Sequence, residues 1–302
     1  MKTFILYNPI AGNGNCREDV SLLDVLYQNT THINMRRITN YRTLLSDISQ
    51  DDRLIICGGD GTLNRFVNSV RGMSLPCKVY YYPIGSGNDF ARDLGKEKGS
   101  APDFEINEFI TDLPSIYVNG KEYLFINGVG YGIDGYCCEE GDNMRLKRQS
   151  VKNNKPINYT MIAIKGLLFH YTPTNATVNV DGKEYYFEKV WLAPTMNGRY
   201  YGGGMIPAPD QSRISTSGKV SLMVMHGAGK LKTLSIFPSI FKGKHIKHTK
   251  YVSVFSGKEI TVTFDRPSPL QIDGETIPDV STYTVRAACK SRSYTVPNCM
   301  VI

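Results

Sequence analysis

Three glycine-rich turns in the first 90 residues, each directly behind a short apolar run, constrain the fold of this chain more than any other feature. They are Asn8-Pro-Ile-Ala-Gly12-Asn-Gly14 behind Phe4–Tyr7, Gly58-Gly-Asp-Gly-Thr-Leu-Asn64 behind Arg53–Cys57, and Pro83-Ile-Gly-Ser-Gly-Asn-Asp89 behind Lys78–Tyr82. A further strand is expected at Ile33–Ile38. Helical patterns fall between the runs, at Arg17–Tyr27, Tyr41–Ile48, Thr62–Val70 and Asp89–Leu94; Leu63, Phe66, Val67 and Val70 share one face of the third. Strands alternating with helices imply an α/β unit built on a parallel sheet. All strands of such a sheet point one way, so the three turns gather at its C-terminal edge, where such folds bind ligands.

The pattern changes after about residue 115. Val118-Asn-Gly-Lys121 and Val180-Asp-Gly-Lys183 are hairpin signals. Strands are expected at Val190–Ala193, Lys219–Met225, Tyr251–Phe255, Glu259–Phe264 and Leu270–Ile272, with one helix at Tyr159–His170. The chain therefore divides into an α/β domain at 1–115, a mostly antiparallel domain at 116–282, and a tail at 283–302 expected to pack back on either domain. The tail contains a strand, Tyr283–Arg286.

Composition excludes several alternatives. Of 302 residues, 41% are hydrophobic and 21% charged, which fits a globular protein and not a disordered chain or a fibre. No apolar run approaches the ~20 residues of a membrane span. The apolar start runs straight into Asn8-Pro9 and reads as a first strand, not a signal peptide. Seven cysteines without a Cys-x-x-Cys pair suggest a reduced, cytoplasmic protein. The net charge is +7, and from Gln211 to Lys258 there are nine Lys or Arg and no Asp or Glu. A second basic cluster comprises Arg145, Lys147, Arg148, Lys152 and Lys155. Such surfaces attract anionic partners or are simply solvated; no nucleic-acid-binding motif is present.

Glycines let a backbone approach polyphosphate closely, and a following helix offers free N–H groups. Neither the dinucleotide fingerprint nor a Walker A sequence stands at these turns. Asp60 is the odd member of its turn. A carboxylate there repels phosphate unless a metal or proton intervenes; alternatively it caps the Thr62 helix.

Gly58–Asn64 resembles the signature of the diacylglycerol kinase catalytic-domain family, which includes sphingosine and ceramide kinases and bacterial lipid kinases. Asn8-Pro9 with Gly12, Pro83–Arg92, Phe125-Ile-Asn-Gly-Val-Gly-Tyr-Gly-Ile-Asp134, Gly202-Gly-Gly-Met205 with Ala208-Pro209, and Asp273-Gly-Glu275 follow in the family's order. The Gly-Gly-Asp-Gly-Thr stretch alone is shared with NAD kinases. The resemblance implies a Rossmann-like N-terminal domain, a C-terminal β-sandwich, and a nucleotide cleft between them. It implies an ATP- and Mg²⁺-dependent kinase of diacylglycerol or a similar lipid. Asn8, Thr39, Gly58, Gly59, Asp60, Gly61, Thr62, Asn64 and Ser86 would then bind nucleotide, and Asp89 and Arg92 would lie at the acceptor. Glu275 would be the general base, with Asp60 also catalytic.

From the residues alone, Asp273-Gly274-Glu275 reads as a hairpin turn between strands. Relatives often place acidic residues before the glycine matching Gly218 to hold a structural Mg²⁺, whereas Ser215-Thr-Ser-Gly-Lys219 has none. The metal ligands stay unassigned. A kinase of a soluble acceptor such as NAD, and a silent nucleotide- or lipid-binding regulator, are the competing readings. The expected partner is a lipid at an anionic membrane surface, bound peripherally and without nucleic acid; a homodimer is left open. Trp191 is expected in the core, and His226, His245 and His248 show no metal-ligand pattern. Leu231–Phe241 reads either as a bilayer-dipping segment or as a buried helix broken at Pro238.

Overall fold

The computed structural model describes residues 1–11, 16–150, 159–215 and 217–288. Gly12, Gly14, Lys152, Lys155 and the end of the tail lie outside the described residues. Four strands, β1 (Thr3–Tyr7), β2 (Thr30–Asn34), β3 (Arg53–Gly58) and β4 (Lys78–Pro83), form a wholly parallel sheet in the order β2-β1-β3-β4. Its central strands read as unbroken apolar runs because helices cover both faces. Leu6, Leu54, Ile56, Val79 and Tyr81 bury on one side, and Ile5, Ile55, Cys57 and Tyr82 on the other.

The helices of this domain are α1 (Cys16–Ser21), α2 (Leu23–Leu26), α3 (Tyr41–Ser46), α4 (Asp60–Ser69), α5 (Asp89–Asp93) and α6 (Asn107–Thr111). The long helix expected at 17–27 is interrupted at Leu22, where the Ser21 hydroxyl has turned back to donate to the Glu18 carbonyl. The second strand lies three residues earlier than expected. The Asn34 side chain accepts from the Arg36 N–H and starts a 3₁₀ turn, Met35–Arg37, that ends it.

Among the described residues the second domain contains ten antiparallel strands: β5 (Ser115–Val118), β6 (Lys121–Leu124), β7 (Gly128–Tyr131), β8 (Thr174–Val180), β9 (Lys183–Val190), β10 (Thr195–Met196), β11 (Val220–Met225), β12 (Val252–Gly257), β13 (Glu259–Ile272) and β14 (Glu275–Arg286). Two strands expected separately, Glu259–Phe264 and Leu270–Ile272, are one 14-residue strand, β13. Its first half pairs with β8 and its last three residues with β7, while β14 follows it with register shifts between Thr263 and Leu270. A strand that changes partners at a bulge joins the layers of a sandwich. Tyr283–Arg286 is not the start of a tail but the end of β14, paired with β5.

Helix α7 (Ile133–Ser150) was not legible as a helix. Gly135 and Gly141 are its close-packing points. A Cβ on Gly135 would stand 1.8 Å from the Pro269 carbonyl, and one on Gly141 would stand 2.6 Å from the Tyr159 ring. Helix α8 (Tyr159–Lys165) continues into a π turn, Gly166–His170, as one helical stretch. Trp191 is fully buried and donates its indole N–H to the Ala228 carbonyl at 2.8 Å.

Candidate active site at the glycine cleft

The loops after β3 and β4 cross glycine upon glycine. A Cβ on Gly85 would lie 2.2 Å from the Gly59 Cα, so no side chain fits at the crossing. The Gly58 carbonyl, at the end of β3, accepts from the N–H groups of Ile84 and Gly85 and from the Tyr81 hydroxyl. Asn88, at φ 58°, locks the second loop by bonding both N–H and carbonyl of Gly85. Asn8 joins the first turn to this group through a 3.4 Å contact from its amide to the Thr62 hydroxyl.

Asp60 does not cap its own helix; Gly59 is the N-cap of α4. The Asp60 carboxylate instead caps α5, accepting the Asp89 N–H at 2.8 Å and the Phe90 N–H at 2.9 Å, one on each oxygen. Each oxygen keeps a further lone pair for a cation. Asp89 is 2% exposed. Its Oδ2 accepts the Gly203 N–H at 2.7 Å, while Oδ1 has no hydrogen-bond partner and faces the Arg92 guanidinium at 3.6 Å. Burial first, and then the Asp60 charge, push the Asp89 carboxyl up to about 7.

That shift has a sign. Between about pH 4 and 7 the folded protein holds a proton that the unfolded chain has released, so stability falls as pH rises through this window and is flat above it. Asp89→Asn mimics the protonated acid. We expect it to match the parent near pH 4 and to exceed it by roughly 2–4 kcal/mol at pH 8. Denaturant titration of both proteins at the two pH values measures this; equal differences at both would remove the assigned shift.

The second domain reaches the cleft through the turn between β13 and β14. Asp273 and Gly274 have φ of 47° and 93°, the conformation of a two-residue hairpin turn. The hairpin reading is therefore met. Asp273 accepts the N–H groups of Ile126, Asn127 and Gly128 and the Asn64 amide at 2.8 Å. Burial raises the Asp273 carboxyl to about 6 against those bonds. Gln271 supports the turn from behind: its side-chain Oε1 accepts the Gly274 N–H, and its side-chain amide donates to half-buried Asp134 at 2.8 Å. So fixed, Glu275 projects toward α4. Its Oε1 lies 3.9 Å from where a Cβ on Gly61 would sit and 3.4 Å from the Arg65 guanidinium, with the side chain 61% exposed.

Not every expected residue joins this cleft. Asn64 is buried and spends its amide on Asp273 and the Leu124 carbonyl, tying the domains together instead of facing a ligand. Ser86 is exposed at the tip of its loop. Thr39 is exposed on the approach to α3, beyond edge strand β2. Arg92 lies over the Tyr200 ring at 5.8 Å. Arg213 was hidden in the basic run. It is buried, bonds Asp93 at 2.5 Å and Asn127 at 2.8 Å, and lies over the Phe90 ring. Only the absence of neighbouring lysines could have set it apart in the sequence.

Among the described residues no group of three or more His, Cys, Asp or Glu could hold a metal. Ser215 and Ser217 bond each other's hydroxyls. Asp60 and the orphaned Asp89 oxygen fit a cation shared with phosphate oxygens, the usual mode for Mg²⁺.

Two family models match the chain. One, described as the diacylglycerol kinase catalytic domain, covers residues 2–112. The other, described as the YegS C-terminal NAD kinase beta sandwich-like domain, covers residues 127–299. A diacylglycerol kinase of Mycobacterium tuberculosis (strain CDC 1551 / Oshkosh) is 27% identical over 202 residues, 65% of this chain and 62% of that protein. The chain thus matches under two thirds of that relative's length. A solved structure, of a diacylglycerol kinase from Bacillus anthracis str. Sterne, superposes with a TM-score of 0.59 at 18% identity, covering 95% of this chain and 94% of the other. This likeness shows the two-domain fold.

Proposed function

The chain belongs to the diacylglycerol kinase catalytic-domain family, and from that premise we propose that it transfers the γ-phosphoryl group of ATP to the hydroxyl of diacylglycerol or a similar lipid. The observation that carries this reading is the placement of Glu275, from the second domain, over Gly61 at the N-terminus of α4. In this reading the phosphates bind at the N-terminus of α4, beside Gly61 and within reach of Glu275. Gly58 and Gly59 allow the tight crossing that exposes this helix start, and the first turn of α4 offers its N–H groups and positive dipole end.

Phosphoryl transfer depends mainly on positioning and charge stabilisation. The acceptor oxygen forms a bond to the γ-phosphorus, the bond to the β–γ bridging oxygen breaks, and ADP leaves. Glu275 takes the hydroxyl proton. Asp89 and Arg92, beneath the Gly202–Met205 loop, orient the acceptor. Asp60 and Asp89 would hold Mg²⁺, which neutralises phosphate charge when bound. Asp273, Asn64 and Gln271 keep the Glu275 turn in place across the domain boundary.

The test is transfer from radiolabelled ATP over a panel of diacylglycerols, sphingoid bases and NAD. Labelled lipid phosphate is the expected product. Label in NAD alone would make the acceptor soluble, and ATP binding without any product would make the protein a silent regulator.

A further inference from the structure

The segment Lys230–Lys244 lies on the surface with one side turned in. It comprises α9 (Lys230–Ile236) and a 3₁₀ helix, Phe237–Lys242. Thr233, Ile236 and Ile240 are buried, at the spacing of one helical face. The outer face carries apolar side chains that the fold leaves bare: Leu231 is 78% exposed, and Phe241 is exposed beside half-buried Phe237. Phe169, on the neighbouring π turn, is 73% exposed. The two elements are joined where the Lys230 ammonium donates to the Leu168 carbonyl at 2.9 Å.

Charge surrounds these apolar groups. Lys230, Lys232, Lys242, Lys244, Lys247 and Lys250 are all exposed, and no acid interrupts the sequence among them. The segment is also tied to the acceptor side of the cleft. The Ile206 N–H donates to the Ile240 carbonyl at 3.0 Å, and Ile206 directly follows the Gly202–Met205 loop whose Gly203 N–H holds Asp89.

We propose that this face, Leu231 and Phe241 of Lys230–Lys244 together with Phe169, docks the protein on an anionic lipid bilayer. Bare aromatic and aliphatic side chains ringed by lysines match the boundary between acyl chains and phosphate headgroups. A nucleic acid would use the lysines but not the apolar groups. Docking here brings the loop over Asp89 toward the source of a lipid acceptor. The proposal deepens the lipid-kinase reading and rests on it for its purpose, while binding itself is measured without ATP or acceptor.

The test is co-sedimentation of the full chain with vesicles of phosphatidylcholine, alone or mixed with phosphatidylglycerol. Binding should require phosphatidylglycerol and weaken with salt. Phe169→Ser with Leu231→Ser should lower it at least about tenfold. Lys232→Ser and Lys242→Ser should each lower it about fivefold. Thermal stability, and transfer to a detergent-dispersed short-chain diacylglycerol, should not change in these variants, since all four side chains are exposed. Binding that ignores the apolar double variant would make the site a plain polyanion surface and overturn the proposal. So would a dimer, seen by light scattering, that the double variant disperses. Variant-sensitive vesicle binding in a protein without kinase activity would leave this surface standing and remove the lipid-kinase reading instead.

Discussion

Glu275→Gln is expected to bind ATP with unchanged affinity and to transfer phosphate roughly 10²–10⁴-fold more slowly. The substitution keeps the side chain's shape and its contact with Arg65, which lies 3.4 Å away, but the amide cannot take the acceptor proton. The turn itself is held by Asp273 and Gln271, not by Glu275, so geometry should survive. The loss should appear in kcat more than in KM for ATP. Steady-state kinetics with a melting curve for each protein separate the outcomes. Lowered melting with unchanged turnover per folded molecule would make Glu275 a structural residue.

Asp60→Ala should abolish most transfer, by about 10²–10³-fold, the scale of a single preorganised electrostatic group. Unlike Glu275→Gln, it should also cost about 1 kcal/mol of stability, because the two N–H groups that begin α5 lose their acceptor. Asp60→Asn should recover part of the stability, since its amide oxygen accepts one of the two bonds, and little of the activity. Denaturant titration and the transfer assay on both variants check this. A folded Asp60→Ala protein with near-normal turnover would place the charge at Asp60 outside the chemistry.

The glycine turns and the sheet edge they share were legible because close approach leaves few alternatives to glycine, and because central parallel strands are apolar throughout. The cap offered for Asp60 at its own helix is not what the structure shows. The helix it caps starts 29 residues later, and side-chain caps between neighbouring loops leave no spacing signal. Asn64 looked like part of a ligand-binding motif, yet its partner, Asp273, lies 209 positions away. Arg213 was hidden for the same reason: its role depends on Asp93, 120 positions earlier. In α7, Gly135 and Gly141 allow close contact with β13 and Tyr159, contacts that local sequence does not signal. Sequence reasoning followed local conformation well. It missed the bonds that hold the two domains in register, which arise only when distant segments meet.

The central claim, that nucleotide phosphate binds at the N-terminus of α4 beside Gly61, is tested most directly by the ATP affinity of Gly61→Ala. An alanine Cβ there would stand 3.8 Å from the Asp273 carbonyl and 3.9 Å from Glu275 Oε1, which the folded protein accommodates at ordinary contact, and alanine favours the helix over glycine. Calorimetric titration should therefore find a protein that melts no lower than the parent and binds ATP at least about tenfold more weakly. A Gly61→Ala protein that binds ATP as tightly as the parent would show that no phosphate binds beside Gly61.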